Sequence, residues 1–435
     1  MTKAVDRMEI RDPIHGPIAL SSTEQALIDS PYLQRLRNIK QLGFSELTWP
    51  GATHTRFLHS LGAMYLAGVA FDMALRDAPW LPDRERSRLR QTVRLAALCH
   101  DLGHPPLSHS SEMLLPRLPM VSPQSGAQPG PDHGSHEDFT LQFLLKSGFT
   151  DLLRNAAGHL GIEPVHVAAL ISNDIAGDDS AFMIGHRNLK TLLATLVSSE
   201  LDVDRMDYLL RDSYFTGVSY GKFDVDWLIS HLCHHIGDDG ELHLGLEDRA
   251  IFTFDDFLLS RHHMFLMVYF HKKSVCYDHM LRRFYEQFPQ YCQAPADPEE
   301  YLHFDDHALW RVLRGMASQS AWANGIVQRK PLTLLAESAH SGPEPVDALA
   351  AKLQAEGVDH LRVTSHGALS KYRAADRGRR IFVRKQPPVG PARWTELGHA
   401  TQLFVRYAEQ TVLERIYVWP HEAARAGAWL QALRS

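Results

Sequence analysis

The sequence predicts a mainly α-helical protein, an all-helical core followed by a smaller α+β domain. Three observations carry that expectation. Apolar residues recur at helical spacing through most of residues 1–292. After QAPADPEE (293–300) the texture changes, and short β-like runs alternate with helical stretches. Finally, 435 residues exceed what one small domain usually holds. The expected division is a core over 1–292, with a flexible loop at 116–134 and a hairpin at 234–246, and an α+β domain over 300–435.

Each element has its own signal. Residues 22–42 read as a helix interrupted before Pro31, because the residue preceding a proline is pushed out of the helical region. After the loop TWPGATHT, the run FLHSLGAMYLAGVAFDMALR carries a long apolar stripe. Residues 84–102 form a helix that ends at LAALCHDLG, stopped by Gly103 and Pro105. The Pro-, Gly- and Ser-rich stretch 116–134 reads as a loop. Residues 187–213 and 255–285 read as two further helices, with HHIGDDGELHLGL between them as a hairpin. His234 and His235 are then hairpin-surface residues rather than ligands. In the last third, LRVTS, RRIFVRK and ERIYVWP read as strands, and 346–356, 395–409 and 421–433 as helices.

Composition narrows the function. Net charge is −6, which argues against wholesale nucleic-acid coating but leaves room for local basic pockets. No apolar run approaches the ~20 residues of a membrane span, and the N-terminus lacks the apolar centre of a signal peptide. The four cysteines are scattered without a CxxC pair, so a reduced, cytoplasmic protein is expected. The 26 histidines make their clustering informative.

The most informative string is HDLGHPPLSH, residues 100–109. An apolar helix that ends in an inward-facing His100–Asp101 pair must satisfy both groups, and a metal ion would do so. His59 on the preceding helix and Asp204 in LDVDRMDYLLRD complete a set of two imidazoles and two carboxylates. That mixed donor set suits Mn, Fe, Ni or Zn, with Mg at a neighbouring site, and leaves positions open for water and a phosphate oxygen. On DVDRMDYLLRD, Asp204, Tyr208, Arg211 and Asp212 are expected on one helical face. So are Arg261, Phe265, Tyr269 and Lys272 on SRHHMFLMVYFHKKS.

The ordered set RFLHSLG, LCHDLGHPPLSH, HE and DVDRMDY closely resembles the HD-domain phosphohydrolases, and among them the deoxynucleoside triphosphate triphosphohydrolases. It extends from RDPIHGPIAL to about residue 285. The resemblance implies that His59, His100, Asp101 and Asp204 hold a divalent metal. It implies catalytic roles for His104, His109, Glu112 and His136, with His109 protonating the leaving group and Glu112 orienting it. The family usually has Asp where Glu112 stands and Gly where Pro105 stands. Substrate contacts carry over to Arg56, Arg205 and Arg261 on the phosphates, and to Tyr208, Asp212 and Tyr269 along the nucleoside. Gln41 and Leu42 carry over to the deoxyribose. Asp29, Gln34, Arg37, His271 and Lys272 match positions that bind an activating nucleotide in regulated relatives; the alternative is that they pair within the N-terminal helices. The basic residue those relatives carry before RDPIHG is replaced here by Met8 and Glu9.

The implied activity is cleavage of a deoxynucleoside triphosphate at the α-phosphorus, giving nucleoside and tripolyphosphate, by a homo-oligomer (dimer or tetramer). The rivals are an HD-type nucleotide monophosphatase or phosphodiesterase, and a catalytically silent nucleotide sensor or nucleic-acid-binding protein. The basic stretch SKYRAADRGRRIFVRK, with Lys371, Arg373, Arg377, Arg379, Arg380, Arg384 and Lys385, reads as a solvated loop and strand face; the alternative is a site for an effector phosphate or single-stranded nucleic acid.

Overall fold

The computed structural model describes residues 8–118, 133–173, 175, 179–237, 240–338, 345–367, 379–406 and 411–434. Most of the expected loop 116–134 and the basic residues Lys371, Arg373 and Arg377 lie outside the described residues.

At the centre is the helix Arg56–Ala74, whose Leu61, Ala63, Met64, Ala67, Ala70 and Phe71 are all buried. It packs against the helices Asp83–Cys99 and Val203–Thr216. By length and composition this central helix is apolar enough to cross a membrane, contrary to the expectation that no run comes close. Its burial inside the core accounts for the apolar sequence. Residues 22–42 break where expected, into Ser22–Ile28, Pro31–Arg35 and a 3-10 turn. Both short helices carry serine N-caps, Ser21 and Ser30.

Two expected helices are divided. Residues 187–213 form Lys190–Val197 and Val203–Thr216, because Asp202 caps the second by accepting from the Arg205 amide. Residues 255–285 form Ile251–Met264, a π-helical turn Phe265–Tyr269, and Lys272–Gln287. The π turn admits one residue too many for helical spacing, so Lys272 beyond it leaves the face predicted for Arg261, Phe265, Tyr269 and Lys272, while Arg261 before it stays beside Phe265. Phe265 and Tyr269 line the central cavity, Arg261 is buried behind it, and Lys272 is exposed.

The hairpin Leu232–Ile236/Leu242–Glu247 forms as expected, but it does not end at solvent. The strand Ile381–Lys385 pairs in parallel with Leu242–Glu247, and Arg393–Glu396 adds to the far edge. His234 and His235 are consequently half-buried, His234 bonding the Ala74 carbonyl at 2.9 Å and His235 packing on Phe382 and Trp394. Ile381, Val383 and Leu397 are buried in the same core as the central helix. The expected boundary near residue 300 is therefore crossed by chain that returns from the C-terminal third. What remains separate is a three-stranded antiparallel sheet, Thr333–Ser338, Thr411–Val418 and His360–Gly367. Period-2 alternation splits its middle strand: Ile416 and Val418 face the helices Val346–Ala355 and Ala423–Arg434, while Tyr417 packs towards Lys272–Gln287.

Ile381 is fully buried in that first core. Ile381→Ala is expected to destabilise the protein by about 2–5 kcal/mol, read as a lower denaturant midpoint; a change within error would mean that the returning strand contributes nothing to the helical core.

Candidate metal centre and active site

Three helices bring the four expected ligands together. His59 lies one turn into Arg56–Ala74, His100 caps the end of Asp83–Cys99 with Asp101 next to it, and Asp204 sits in the first turn of Val203–Thr216. His59 Nε2 is 2.9 Å from Asp204 Oδ1, 3.3 Å from His100 Nε2 and 3.6 Å from Asp101 Oδ2. His100 Nε2 is 3.3 Å from Asp101 Oδ1 and 3.6 Å from Asp204 Oδ1.

The donor chemistry fits a divalent cation. His100 Nδ1 faces the Ala97 carbonyl at 2.7 Å, and a carbonyl only accepts, so the proton sits on Nδ1 and Nε2 faces the cluster. His59 Nδ1 likewise faces the Asp207 carboxylate at 2.8 Å. Burial alone would lower the His59 pKa, but hydrogen bonds to Asp204 and Asp207 outweigh it and push it up to about 10. Burial also acts against the charged form of Asp204, yet His100 and His59 hold its carboxyl well below the usual range.

Behind His59 lies a second layer. Asp207 accepts from Arg211 Nε and Nη2, both at 2.8 Å, and its Oδ1 is 2.6 Å from His15 Nε2. Arg211 also reaches Asp12 at 2.8 Å, and Asp12 accepts from the amides of Ile14 and His15. Arg211 is therefore buried on this side, not on the cavity face with Tyr208 and Asp212 where its spacing put it. Gly62 makes the close approach feasible, since a Cβ there would stand 1.9 Å from Asp207 Oδ1.

In front of the cluster opens a cavity of about 680 Å³. Arg56 lies in its wall, with Nη1 at 2.7 Å from Asp101 Oδ2 and Nε at 2.9 Å from Ser108 Oγ. Next to it the expected histidines gather. His104 stacks on His136 with centroids 4.0 Å apart and contacts Asp101 at 3.2 Å. Burial and the neighbouring Arg56 charge keep His104 well below the ordinary histidine range, hence neutral. Glu112 bonds the Nδ1 of both His136 and His109, the latter at 3.3 Å, so the longer carboxylate reaches both rings.

The other wall holds Gln41, Leu42, Arg205, Tyr208, Asp212 and Tyr269. Tyr269 donates its hydroxyl to Asp212 Oδ2 at 2.7 Å, and His54 Nε2 lies 2.8 Å from Asp212 Oδ1. His54, which the sequence did not single out, is stacked on Phe215 at 4.6 Å; its TWPGATHT loop was the available signal. Arg205 pairs with Asp202. Arg261 departs from expectation: it does not line the cavity, and its guanidinium lies 3.7 Å from Glu200 and 5.1 Å from the Phe265 ring centroid. The effector positions also lie away from the cavity. Asp29 ends the Ser22–Ile28 helix, Gln34 donates to the Ile28 carbonyl at 2.8 Å, and Arg37 donates to Gln34 at 2.7 Å. His271 caps the Lys272–Gln287 helix and packs on Trp49, and the Lys272 carbonyl accepts from Tyr417.

Residues past 300 brace the cavity. Asp306 accepts from the Leu107 amide at 2.7 Å and the Lys40 amide at 3.1 Å, tying the HDLGHPPLSH loop to the Gln41 loop. Leu107 and Ser108 both hold φ of 56°, a left-handed conformation that non-glycine residues adopt at a cost. The Tyr301 hydroxyl donates to the Gly103 carbonyl at 2.9 Å. Neither contact is visible in sequence, because the partners lie about two hundred residues apart.

Two outcomes follow. Asp207→Asn removes the carboxylate that orients His59 and is expected to weaken divalent-metal binding about 10–100-fold by calorimetric titration; unchanged affinity would detach the second layer from the first. Glu112, for its part, is held well below its ordinary value: burial opposes this, but His109 and His136 prevail. Its contribution to stability is present above the ordinary glutamate range and lost as pH falls. Unfolding midpoints of the protein and Glu112→Gln should therefore differ at pH 7 and converge in acid, and a gap that widens in acid would contradict the pairing.

No family model matches the chain. It is 31% identical over 305 residues to an uncharacterized protein of Methanocaldococcus jannaschii, covering 70% of this chain and 54% of that protein. It is 32% identical over 290 residues to the human deoxynucleoside triphosphate triphosphohydrolase SAMHD1, covering 64% of this chain and 44% of that one. The chain spans about half the length of the curated relatives it matches. In structure it is similar to a hypothetical protein from Aquifex aeolicus, with TM-score 0.70, 26% identity, and 97% and 99% of the two chains covered. The spaced His and Asp residues thus converge in a chain whose sequence is similar to proteins named deoxynucleoside triphosphate triphosphohydrolases.

Proposed function

We propose that the protein is a metal-dependent hydrolase that cleaves deoxynucleoside triphosphates at the α-phosphorus, releasing deoxynucleoside and tripolyphosphate. The single observation that carries this reading is the convergence of His59, His100, Asp101 and Asp204 at the wall of a cavity of about 680 Å³ that also holds an imidazole–carboxylate group and a tyrosine–aspartate pair. That volume suits a nucleotide-sized ligand. The likeness to enzymes named for this activity supports it.

His59, His100, Asp101 and Asp204 would hold the metal, which when bound supplies Lewis acidity towards a phosphoryl oxygen and towards water. The remaining work falls to the chain's own side chains. Arg56 and Arg205 offset the negative charge that grows on the phosphate oxygens. Arg261, close enough to Tyr208 to act on it electrostatically, contributes from behind the wall. Water adds to the α-phosphorus and releases a proton to solvent as the bond to the 5′-oxygen breaks; His109 gives its proton to that oxygen and is reprotonated from solvent before the next turnover. Glu112 holds the ring by Nδ1, which leaves Nε2 for the transfer. Asp212, fixed by Tyr269 and His54, accepts from the sugar's 3′-hydroxyl. Leu42 and Tyr269 leave a 2′-hydroxyl neither space nor partner, which disfavours ribonucleotides. All four cysteines are free and buried, in keeping with a reducing cytoplasmic compartment.

Phosphorus NMR of the products tests the reading. Metal-loaded protein should yield inorganic tripolyphosphate from deoxynucleoside triphosphates, and Asp204→Ala should abolish turnover. Orthophosphate as the only product would favour the monophosphatase or phosphodiesterase rival, and no turnover with any metal or nucleotide would favour a nucleotide sensor.

A further inference from the structure

One wall of the cavity, formed by the helix Lys272–Gln287, carries a polar row that the roles above do not use. Ser274, Asp278 and Arg282 stand at i, i+4 and i+8 on that helix, which aligns them on one face, and all three line the cavity. The helix packs on the 3-10 turns Gly43–Leu47 and Ser108–Leu114, so the row looks towards the loop of Gln41 and the turn of His109. Within the row Arg282 is drawn to Glu286, at 3.5 Å. Ser274 lies 3.3 Å from Ser45.

Asp278 is different. Ser110 donates to its carboxyl, but Oδ1 is shut off from solvent and has no hydrogen-bond partner among the described residues. Burial, opposed only by that one hydrogen bond, raises its pKa to about 6. In the same cavity Gln41 Oε1 is also buried and without a partner among the described residues. Buried acceptors are nearly always matched by a donor. Two unmatched ones in a ligand-sized cavity call for a donor that arrives with the ligand.

Resting on the reading that this cavity takes a deoxynucleoside triphosphate, we propose that Asp278 reads the hydrogen-bonding edge of the base and selects guanine. Guanine presents a ring N–H and an exocyclic amino group side by side, two parallel donors that match the two oxygens of one carboxylate. Adenine and cytosine set their amino group beside a ring acceptor. Thymine flanks its ring N–H with carbonyl oxygens, which a carboxylate repels. A site built around buried acceptors penalises a base that leaves them unpaired.

The test uses the metal-loaded full chain and Asp278→Asn, an isosteric change. With the four deoxynucleoside triphosphates, the unsubstituted protein should show the highest kcat/KM for the guanine nucleotide. Asp278→Asn should lower that value roughly 10–100-fold, the scale of a lost charge-assisted pair, while shifting the thymine nucleotide less than about threefold. An equal fall for all four nucleotides, or no fall for guanine, would overturn the assignment and leave the hydrolytic reading intact. Calorimetry with non-hydrolysable dGTP and dTTP analogues separates the remaining case: guanine-selective binding that Asp278→Asn abolishes, in a protein without turnover, would support base reading and remove the hydrolytic one.

Discussion

Placing two imidazoles and two carboxylates in a protein interior is tolerable only if every charge and every lone pair has a partner. That constraint organises the helical core. The carbonyl of Ala97 fixes the ring of His100, and the carboxylate of Asp207 fixes that of His59, so both Nε2 atoms face the same point. Asp207 in turn needs Arg211, and Arg211 needs Asp12. The N-terminal RDPIHG segment is thereby drawn into the foundation of the centre. Gly62 follows from the same requirement, because any larger residue would stand inside the Asp207 carboxylate.

The cavity is completed from much further along the chain. Asp306 joins two loops that approach from opposite sides, and Tyr301 steadies the loop that follows His100 and Asp101. Leu107 and Ser108 keep a left-handed backbone there because surrounding contacts over-determine it. The position of His109 depends on that unusual path as much as on its own sequence neighbours.

The convergence of His59, His100, Asp101 and Asp204 was legible because His–Asp adjacency, the helical stripe before it and the DVDRMD turn are local patterns. Glu112 and His136 were legible for the same reason, each lying near a recognisable string. Arg211 was placed on the wrong face because periodicity reports direction and not reach: a long guanidinium can turn back one helical turn to Asp207 and on to Asp12. The π turn at Phe265–Tyr269 defeated periodicity outright, since one additional residue per turn redirects everything beyond it. The contacts of Asp306, the bond of His54 to Asp212 and the parallel pairing of the strand Ile381–Lys385 reach across the fold, which no window of sequence contains.

The parallel pairing of Ile381–Lys385 with Leu242–Glu247 carries a consequence for biosynthesis. While the chain emerges from the ribosome, the earlier strand must wait for well over a hundred further residues before its neighbour exists. Until then that edge of the hairpin is unpaired, and an unpaired strand edge can template pairing with another chain, so the late strand is also what closes an aggregation-prone edge.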